Sequence, residues 1–412
     1  MISRFLFISI LAWNGIAYAL EPMNPPGLLP LETARSLIEH DPGVAAAHAG
    51  LEVALQEAGI LDQSPYEWVT QFAGQRRRLN TGSNYNEWSV GIERTIRLPG
   101  KASADRSIGK ATVNESEARY GEAIQEAARE LMALWLESVV ADQSLALAVN
   151  SLQSLHDSLS AVEKRVRAGD ASKLDLNIAR AELADQKRIN NDIKTKAEVA
   201  WSRLSTRFPS ITRTNTAVPQ PSAIEQDLNF WLTRIMAVSD ELKIMQIKMQ
   251  IAQAQADRAN ADKIPDPTLG LHTGSESGGQ ERITGVVLSI PISGGLRNSR
   301  SVKALAEVEV LRHEVELKKL ELKALVASNF TKARGDYESL QIANEGAMAM
   351  QENADLVQRA YELGEAELQL LLLARRQAAS ARQNGLQAQE AALKSYYGLI
   401  VDAHFVWGLE HN

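Results

Sequence analysis

Seven histidines could bind a metal or move a proton: His40, His48, His156, His272, His313, His404 and His411. They are dispersed, and none shares the short spacing that metal ligands need. The chain has no cysteine, which excludes a zinc thiolate site, a thiol nucleophile and a lipid-acylated cysteine. Gly100-Lys101 lacks both the upstream glycine of a phosphate-binding loop and a following Ser or Thr, so it reads as a turn rather than a nucleotide site. Met245 and Met249 share a helix face. They suit copper by ligand type, but methionine at such positions is ordinarily packing. No catalytic residue, cofactor site or metal site is therefore expected, and the expected answer to whether the chain is an enzyme is no.

The elements that carry these residues explain the lack of a site. Of 412 residues, 45% are apolar and only 5% aromatic, charges are interspersed, and the net charge is −7. This balance favours long helices and, without a basic domain or aromatic platform, argues against nucleic acid as a partner. The first residues combine a basic start at Arg4, an apolar run from Phe5 to Ile16 and the small-x-small site Ala17-Tyr18-Ala19, which reads as a signal peptide over 1–19. Its apolar run is too short for a helix of about 20 residues that crosses a bilayer. No later segment reads as a transmembrane helix, so any membrane crossing would be made by strands.

The chain is duplicated. RVRAGDASKLDLNIAR (165–180) and AYELGEAELQLLLLAR (360–375) place Gly364 on Gly169, 195 residues apart, and Gly295 follows Gly100 by the same offset. No proline occurs from Lys101 to Arg207 or after Pro291. In the first stretch Ile124, Ala127, Leu131, Leu134, Ser138 and Ala141 begin a seam of alternating three- and four-residue spacings that runs to Val166. It resumes beyond Gly169 from Leu176 to Leu204, which predicts two antiparallel helices packed as a coiled coil. The second copy repeats the pattern around Gly364. A helix over 101–167 is about 100 Å long at roughly 1.5 Å per residue, and its return partner covers little more than half of it. The segments 44–61 and 242–263 have the pattern and length to cover the rest by stacking end to end with the return helices.

Four strands are predicted at 66–79, 85–98, 267–276 and 282–292. The second places Trp88, Val90, Ile92, Ile96 and Leu98 on one face against Glu87, Ser89, Glu93 and Arg97 on the other. Each is long enough to cross a bilayer when tilted, at about 9–11 residues; a soluble hairpin packed on helices fits the alternation equally well. The organisation is thus a leader (1–19), a first repeat (20–208, helical hairpin 101–207), a Pro/Ser/Thr-rich connector (209–239) with a short helix near Phe230–Val238, and a second repeat (240–412, helical hairpin 296–403).

This order resembles the TolC family of outer membrane efflux proteins over essentially the whole mature chain. The most specific marks are the two glycine turns and the strand-to-helix corners IRLPGKASADRS and IPISGGLRNSRS. ERTIRLPGKA and DPGVAAAHAGLEVALQEAG are more similar to the CzcC-like heavy-metal branch. The resemblance implies a mainly α fold with membrane β-strands, in which three copies close a 12-stranded outer membrane barrel continued by a 12-helix periplasmic tunnel. It implies a passive exit duct in the outer membrane with a periplasmic extension. Its partners would be two further copies of itself, a periplasmic adaptor, an inner membrane transporter of the RND type, and outer membrane lipid. The cargo the resemblance implies is heavy-metal cations or small toxic compounds. The exit duct of a type I secretion system is the alternative within the class; a periplasmic coiled-coil scaffold is the alternative outside it.

Residue roles follow from the same resemblance. Gly169, Asp170, Ala171, Gly364, Glu365 and Ala366 would form the periplasmic tips that meet the adaptor. Tyr361 and Asp175 match a tyrosine–aspartate hydrogen bond that helps close the tip. Ala366 stands where an arginine is often found, and Leu370 and Leu373 replace an acidic ring, so closure would rest on apolar contact and dewetting. Arg76, Arg77 and Arg78 end the first strand on the implied exterior side. Their guanidinium forks suit the phosphates of lipopolysaccharide, and a solvated loop charge is the other reading.

Overall fold

The computed structural model describes residues 28–408 apart from 81, 215 and 293, so the leader at 1–19 lies outside the described residues. Helix α1 (Leu31–Glu39) precedes α2 (Pro42–Asp62), and β1 (Val69–Arg78) and β2 (Asn84–Thr95) lead into α3 (Pro99–Ala168) and α4 (Lys173–Arg207). The second copy runs through α5 (Leu228–Val238), α6 (Asp240–Ala261), β3 (Thr268–Glu276), β4 (Glu281–Ser289), α7 (Gly295–Glu362) and α8 (Leu368–Asp402). All four strands are shorter than their patterns suggest, β3 by a single residue. β1 starts beyond Pro65-Tyr66-Glu67, β2 stops before Pro99, and β4 stops before Pro291, whose missing N–H cannot serve a ladder.

The four strands form one antiparallel sheet in the order β1-β2-β3-β4, so the hairpins of the two copies join at β2 and β3, with Ile92 opposite Leu271. Directly opposed residues share a face. Phe72, Trp88, Val90, Ile92, Leu269, Leu271, Val286 and Leu288 fall on one face by this register, and Phe72 is 77% exposed. Gln71, Gln75, Arg77, Glu87, Glu93, His272 and Glu276 fall on the other. Polar bonds link that face, Gln71 donating to Glu93 at 2.9 Å and Gln75 to Glu87 at 2.7 Å. A sheet with an exposed apolar face and a hydrogen-bonded polar face has the pattern of a barrel wall in lipid around a wet interior.

Helix α3, 70 residues long, starts with Pro99 at its first turn, where the missing N–H costs nothing. Near the sheet it packs on α2 and α6, and α6 on α7; toward the far end it packs on α4 and α8, and α8 on α7. The short helices therefore stack in two tiers beside the long ones. At the first junction Asp41 caps α2 by accepting from Gly43 N at 2.7 Å and pairs with Arg207, the last residue of α4. At the second, Arg129 on α3 reaches Asp402, the last residue of α8, at 2.8 Å and Glu122 at 3.0 Å. Burial pushes the carboxyls of Asp402 and Glu122 up.

The largest core lies at this level. Leu131, Leu136, Trp231, Leu393, Tyr397 and Trp407 are fully buried there, and Trp407 Nε1 donates to Leu29 O at 3.2 Å, tying the C-terminal end to the start of α1. One stretch of α3 is apolar enough by composition to cross a membrane, contrary to the sequence expectation. Half of that window is buried inside the protein, and the α3 residues Leu131, Met132, Trp135, Leu136 and Val139 belong to the core described above.

A charged collar joins sheet to helices. Lys101, buried at the Gly100 corner, places its ammonium 3.0 Å from Asp266 and 3.2 Å from Asp262. Asp266 also accepts from Tyr66 Oη at 2.8 Å and from Leu98 N at 3.0 Å. Asp105 is held between Arg97 at 3.0 Å and Arg258 at 2.6 Å. Breaking a buried pair from one side strands the other charge, at a cost of about 3–5 kcal/mol. Lys101→Met should therefore lower the denaturation midpoint of the purified protein by an amount worth about 3 kcal/mol. Arg106→Met, which removes an exposed partner of Asp62 at 3.7 Å, should change stability by less than about 1 kcal/mol. Equal midpoints for the two variants would mean that water already screens the collar.

Candidate functional site

The two helical reversals lie side by side at the end farthest from the sheet. Gly169 takes a φ of +86° and Gly364 a φ of +79°, the left-handed conformation that glycine adopts without strain. In both turns the second residue's N–H reaches back to the last helical turn: Asp170 N to Arg165 O at 2.8 Å and Glu365 N to Ala360 O at 2.9 Å. Gly169, Asp170, Gly364 and Glu365 are exposed, and Ala171 and Ala366 half-buried.

The restarts of the return helices differ. Ser172 caps α4 by accepting from Asp175 N at 3.0 Å, while Asp175 accepts from Ser172 N at 3.0 Å, a complete capping box. The positions 195 residues later are Glu367 and Leu370, and α8 starts without a side-chain cap bond.

This local chemistry changes the expected gate contact. Asp175 spends its carboxylate on the capping box, and the Tyr361–Asp175 hydrogen bond is not formed within the chain. Tyr361 Oη instead accepts from Arg165 Nη1 at 2.9 Å, and the Arg165 guanidinium lies over the Tyr361 ring, 5.3 Å from its centroid. Arg165 was missed by sequence reasoning. The available signal was a cation in the last turn of α3, where it also offsets the helix dipole, beside the position that matches Tyr361.

Behind this contact Val162, Ala179, Leu368, Leu371 and Leu372 form a buried cluster, with Val166, Leu176 and Tyr361 packed against it. Leu370 and Leu373 do not join it. They remain 49% and 47% exposed on the other side of α8, one helical turn apart. The arginine run at the end of β1 is split by the pleat. Arg77 falls on the polar face and pairs with Glu87 at 2.9 Å and Glu276 at 3.2 Å; Arg76 and Arg78, by alternation, fall on the apolar face of the sheet. No group of three His, Asp or Glu side chains among the described residues is arranged to hold a metal. The arrangement offers charged and apolar surfaces.

The family described as outer membrane efflux protein matches residues 33–207 and 231–400. Protein CyaE of Bordetella pertussis is 26% identical over 356 residues, covering 79% of this chain and 74% of that protein. Among solved structures, the outer-membrane channel OprN superposes with a TM-score of 0.76 at 18% identity over 94% of this chain and 95% of that one. The Campylobacter jejuni CmeC outer membrane channel gives a TM-score of 0.70 at 15% identity over 92% of this chain and 86% of that one. The open state of the Neisseria gonorrhoeae MtrE outer membrane channel gives 0.68 at 16% over 92% and 89%.

The uneven capping gives a direct test of the tip. Replacing an N-cap serine by alanine costs about 1 kcal/mol. Ser172→Ala should therefore speed amide exchange across 173–176 by roughly fivefold while Glu367→Ala leaves α8 unchanged. Equal effects in the two tips would contradict the asymmetry.

Proposed function

Because the chain belongs to the outer membrane efflux protein family, we propose that it is the passive exit duct of a tripartite export pump, closed from three copies. The observation that carries this reading is the match between the open edges of its two tiers. β1 and β4 are the unpaired edges of the sheet, while α7 ends the helical layer on one side and α2 and α4 end it on the other. The β4 edge belongs with α7 and the β1 edge with α2, so one rotation can close both tiers. Edge N–H and C=O groups in hydrocarbon demand a partner strand. Three copies of four strands supply twelve, and the exposed Val302, Leu305, Leu317 and Leu320 of α7 gain a helical neighbour. A soluble scaffold would leave Phe72, Leu271, Val286 and Leu288 in water.

In this reading the tips Gly169, Asp170, Ala171, Gly364, Glu365 and Ala366 meet a periplasmic adaptor, and an inner membrane transporter of the RND type supplies the cargo. Leu370 and Leu373 make an apolar ring at the constriction, and the Arg165–Tyr361 contact holds it closed, with Asp175 fixing the start of α4. Arg76 and Arg78, on the lipid side of the barrel wall, meet lipopolysaccharide phosphates; Arg77 is engaged on the interior side. The corner ERTIRLPGKA supports cargo of the heavy-metal class, to be tested by metal sensitivity of a strain lacking this protein.

The purified protein in detergent should have three times the protomer mass, and it should fractionate with outer membranes; a monodisperse monomer with full secondary structure would overturn the barrel. In planar bilayers, Tyr361→Phe should raise single-channel conductance and Leu370→Ser should raise it further by wetting the ring. Unchanged conductance in both would place the constriction elsewhere. Reversing Glu365 and Asp170 to lysine should abolish export while leaving the trimer intact.

A further inference from the structure

Arg375 on α8 stands where the first copy has Arg180, and Gln358 on α7 stands where the first copy has Glu163, each 195 residues on. In the first copy the pair is ionic, Arg180 to Glu163 at 3.3 Å. In the second it is not. The Arg375 guanidinium donates to the amide oxygen of Gln358 and to Ser158 Oγ on α3, and among the described residues it makes no ion pair. Gln358 turns its amide nitrogen to Glu362, so that carboxylate is one amide away. Burial is the dominant influence on this guanidinium and pushes it down from its usual value, yet arginine stays charged in proteins. A half-buried cation with only neutral partners is costly.

The surroundings can relieve that cost. Arg375 opens on a groove of about 260 Å³ between the two helix pairs. Arg382, two turns along α8, lines the same groove and has no ion pair among the described residues. Of the other charges there, Arg376 pairs with Glu182 at 2.5 Å, while Asp355 accepts from the neutral Gln351 amide at 2.7 Å and keeps its charge, which the two arginines outweigh. The volume holds one small anion with a few waters, at about 30 Å³ for each water. We infer that this groove is an oxyanion site, in which Arg375 and Arg382 take one carboxylate or phosphate group in place of the glutamate that the first copy carries as Glu163. The inference stands on the duplicated pair and its groove, independently of the export role.

The test is binding to the purified protein in detergent, by thermal shift at constant ionic strength, with inorganic phosphate and with a blocked alanine peptide carrying one glutamate. Phosphate also stabilises folded proteins without binding to a site, so Gln358→Glu, which gives Arg375 an internal carboxylate as in the first copy, is the comparator. The wild type should show a saturable increment that Gln358→Glu lacks and that Arg375→Gln weakens by at least about tenfold, the loss expected for a charged hydrogen-bond partner. Saturation by phosphate would identify a free anion as the ligand. Saturation by the glutamate peptide alone, with none by a glutamine control, would identify an acidic side chain of a docked protein. No saturable increment with either probe, or one that persists in Gln358→Glu, would overturn the site.

Discussion

A strand edge inside hydrocarbon has nowhere to place its N–H and C=O groups, and the rest of this architecture follows from that constraint. Four strands are too few to close, so the protomer is an open strip. Its sheet runs β1 to β4 in chain order, and the helical layer below keeps the same order, from α2 and α4 through α3 to α7. Each strand is joined in the chain to a helix beneath it, β1 to α2, β2 to α3, β3 to α6 and β4 to α7. Closing the upper tier by rotation therefore closes the lower tier with no further instruction. The collar around Lys101, Asp266 and Asp105 makes this handover rigid, because it ties β2, α3 and α6 together where barrel wall becomes tunnel wall.

The second constraint is length. α3 and α7, of 70 and 68 residues, need partners along their whole course, and no single return helix is long enough. Two helices stacked end to end solve this, but the junction leaves orphan backbone groups to satisfy and two chain ends to hold together. Asp41 does both tasks at one junction: its carboxylate takes the N–H groups of α2 and holds Arg207 at the end of α4. At the other junction the acid is Asp402, at the end of α8 where a negative charge is least favoured, and Arg129 from α3 is needed to hold it. The core concentrates at this level, with α1, α5 and the C-terminal Phe405, Val406 and Trp407 wrapped around it.

Periodicity made the long helices legible in the sequence, and left-handed glycines made their reversals legible, since both signals are local and both occur twice. The alternation of β2 was equally plain, although prolines cut the strands shorter than pattern alone suggests. Helix α1 spans only nine residues, too few for its apolar spacing to recur as it does in the long helices, and the burial of Trp407 against Leu29 joins positions 378 residues apart. The candidate site was legible by position and not by contact. Spacing from the glycines located Tyr361, Asp175, Leu370 and Leu373, but which side chain meets Tyr361 depended on Asp175 being engaged by Ser172 only three residues away. A local capping box forms at no cost in chain closure, so it competes well against a contact between distant helices.

Duplication lets the two copies be compared as an internal experiment. Positions that determine the backbone are kept: Gly169 and Gly364, Gly100 and Gly295, Ala179 and Ala374. Positions that determine local chemistry have diverged. Asp175 caps a helix where Leu370 cannot, Arg165 meets Tyr361 whereas its own counterpart is Ala360, and Glu163 pairs with Arg180 where Gln358 gives Arg375 only a neutral partner. A tunnel built from two interchangeable halves per copy would have a tip of higher symmetry, with equal contacts at every helix pair. Divergence at these few polar positions breaks that symmetry while the alanine seams and glycine turns hold the fold constant. The substitutions can do so because the glycine turns fix each reversal by backbone geometry alone, leaving the side chains beside them free to differ.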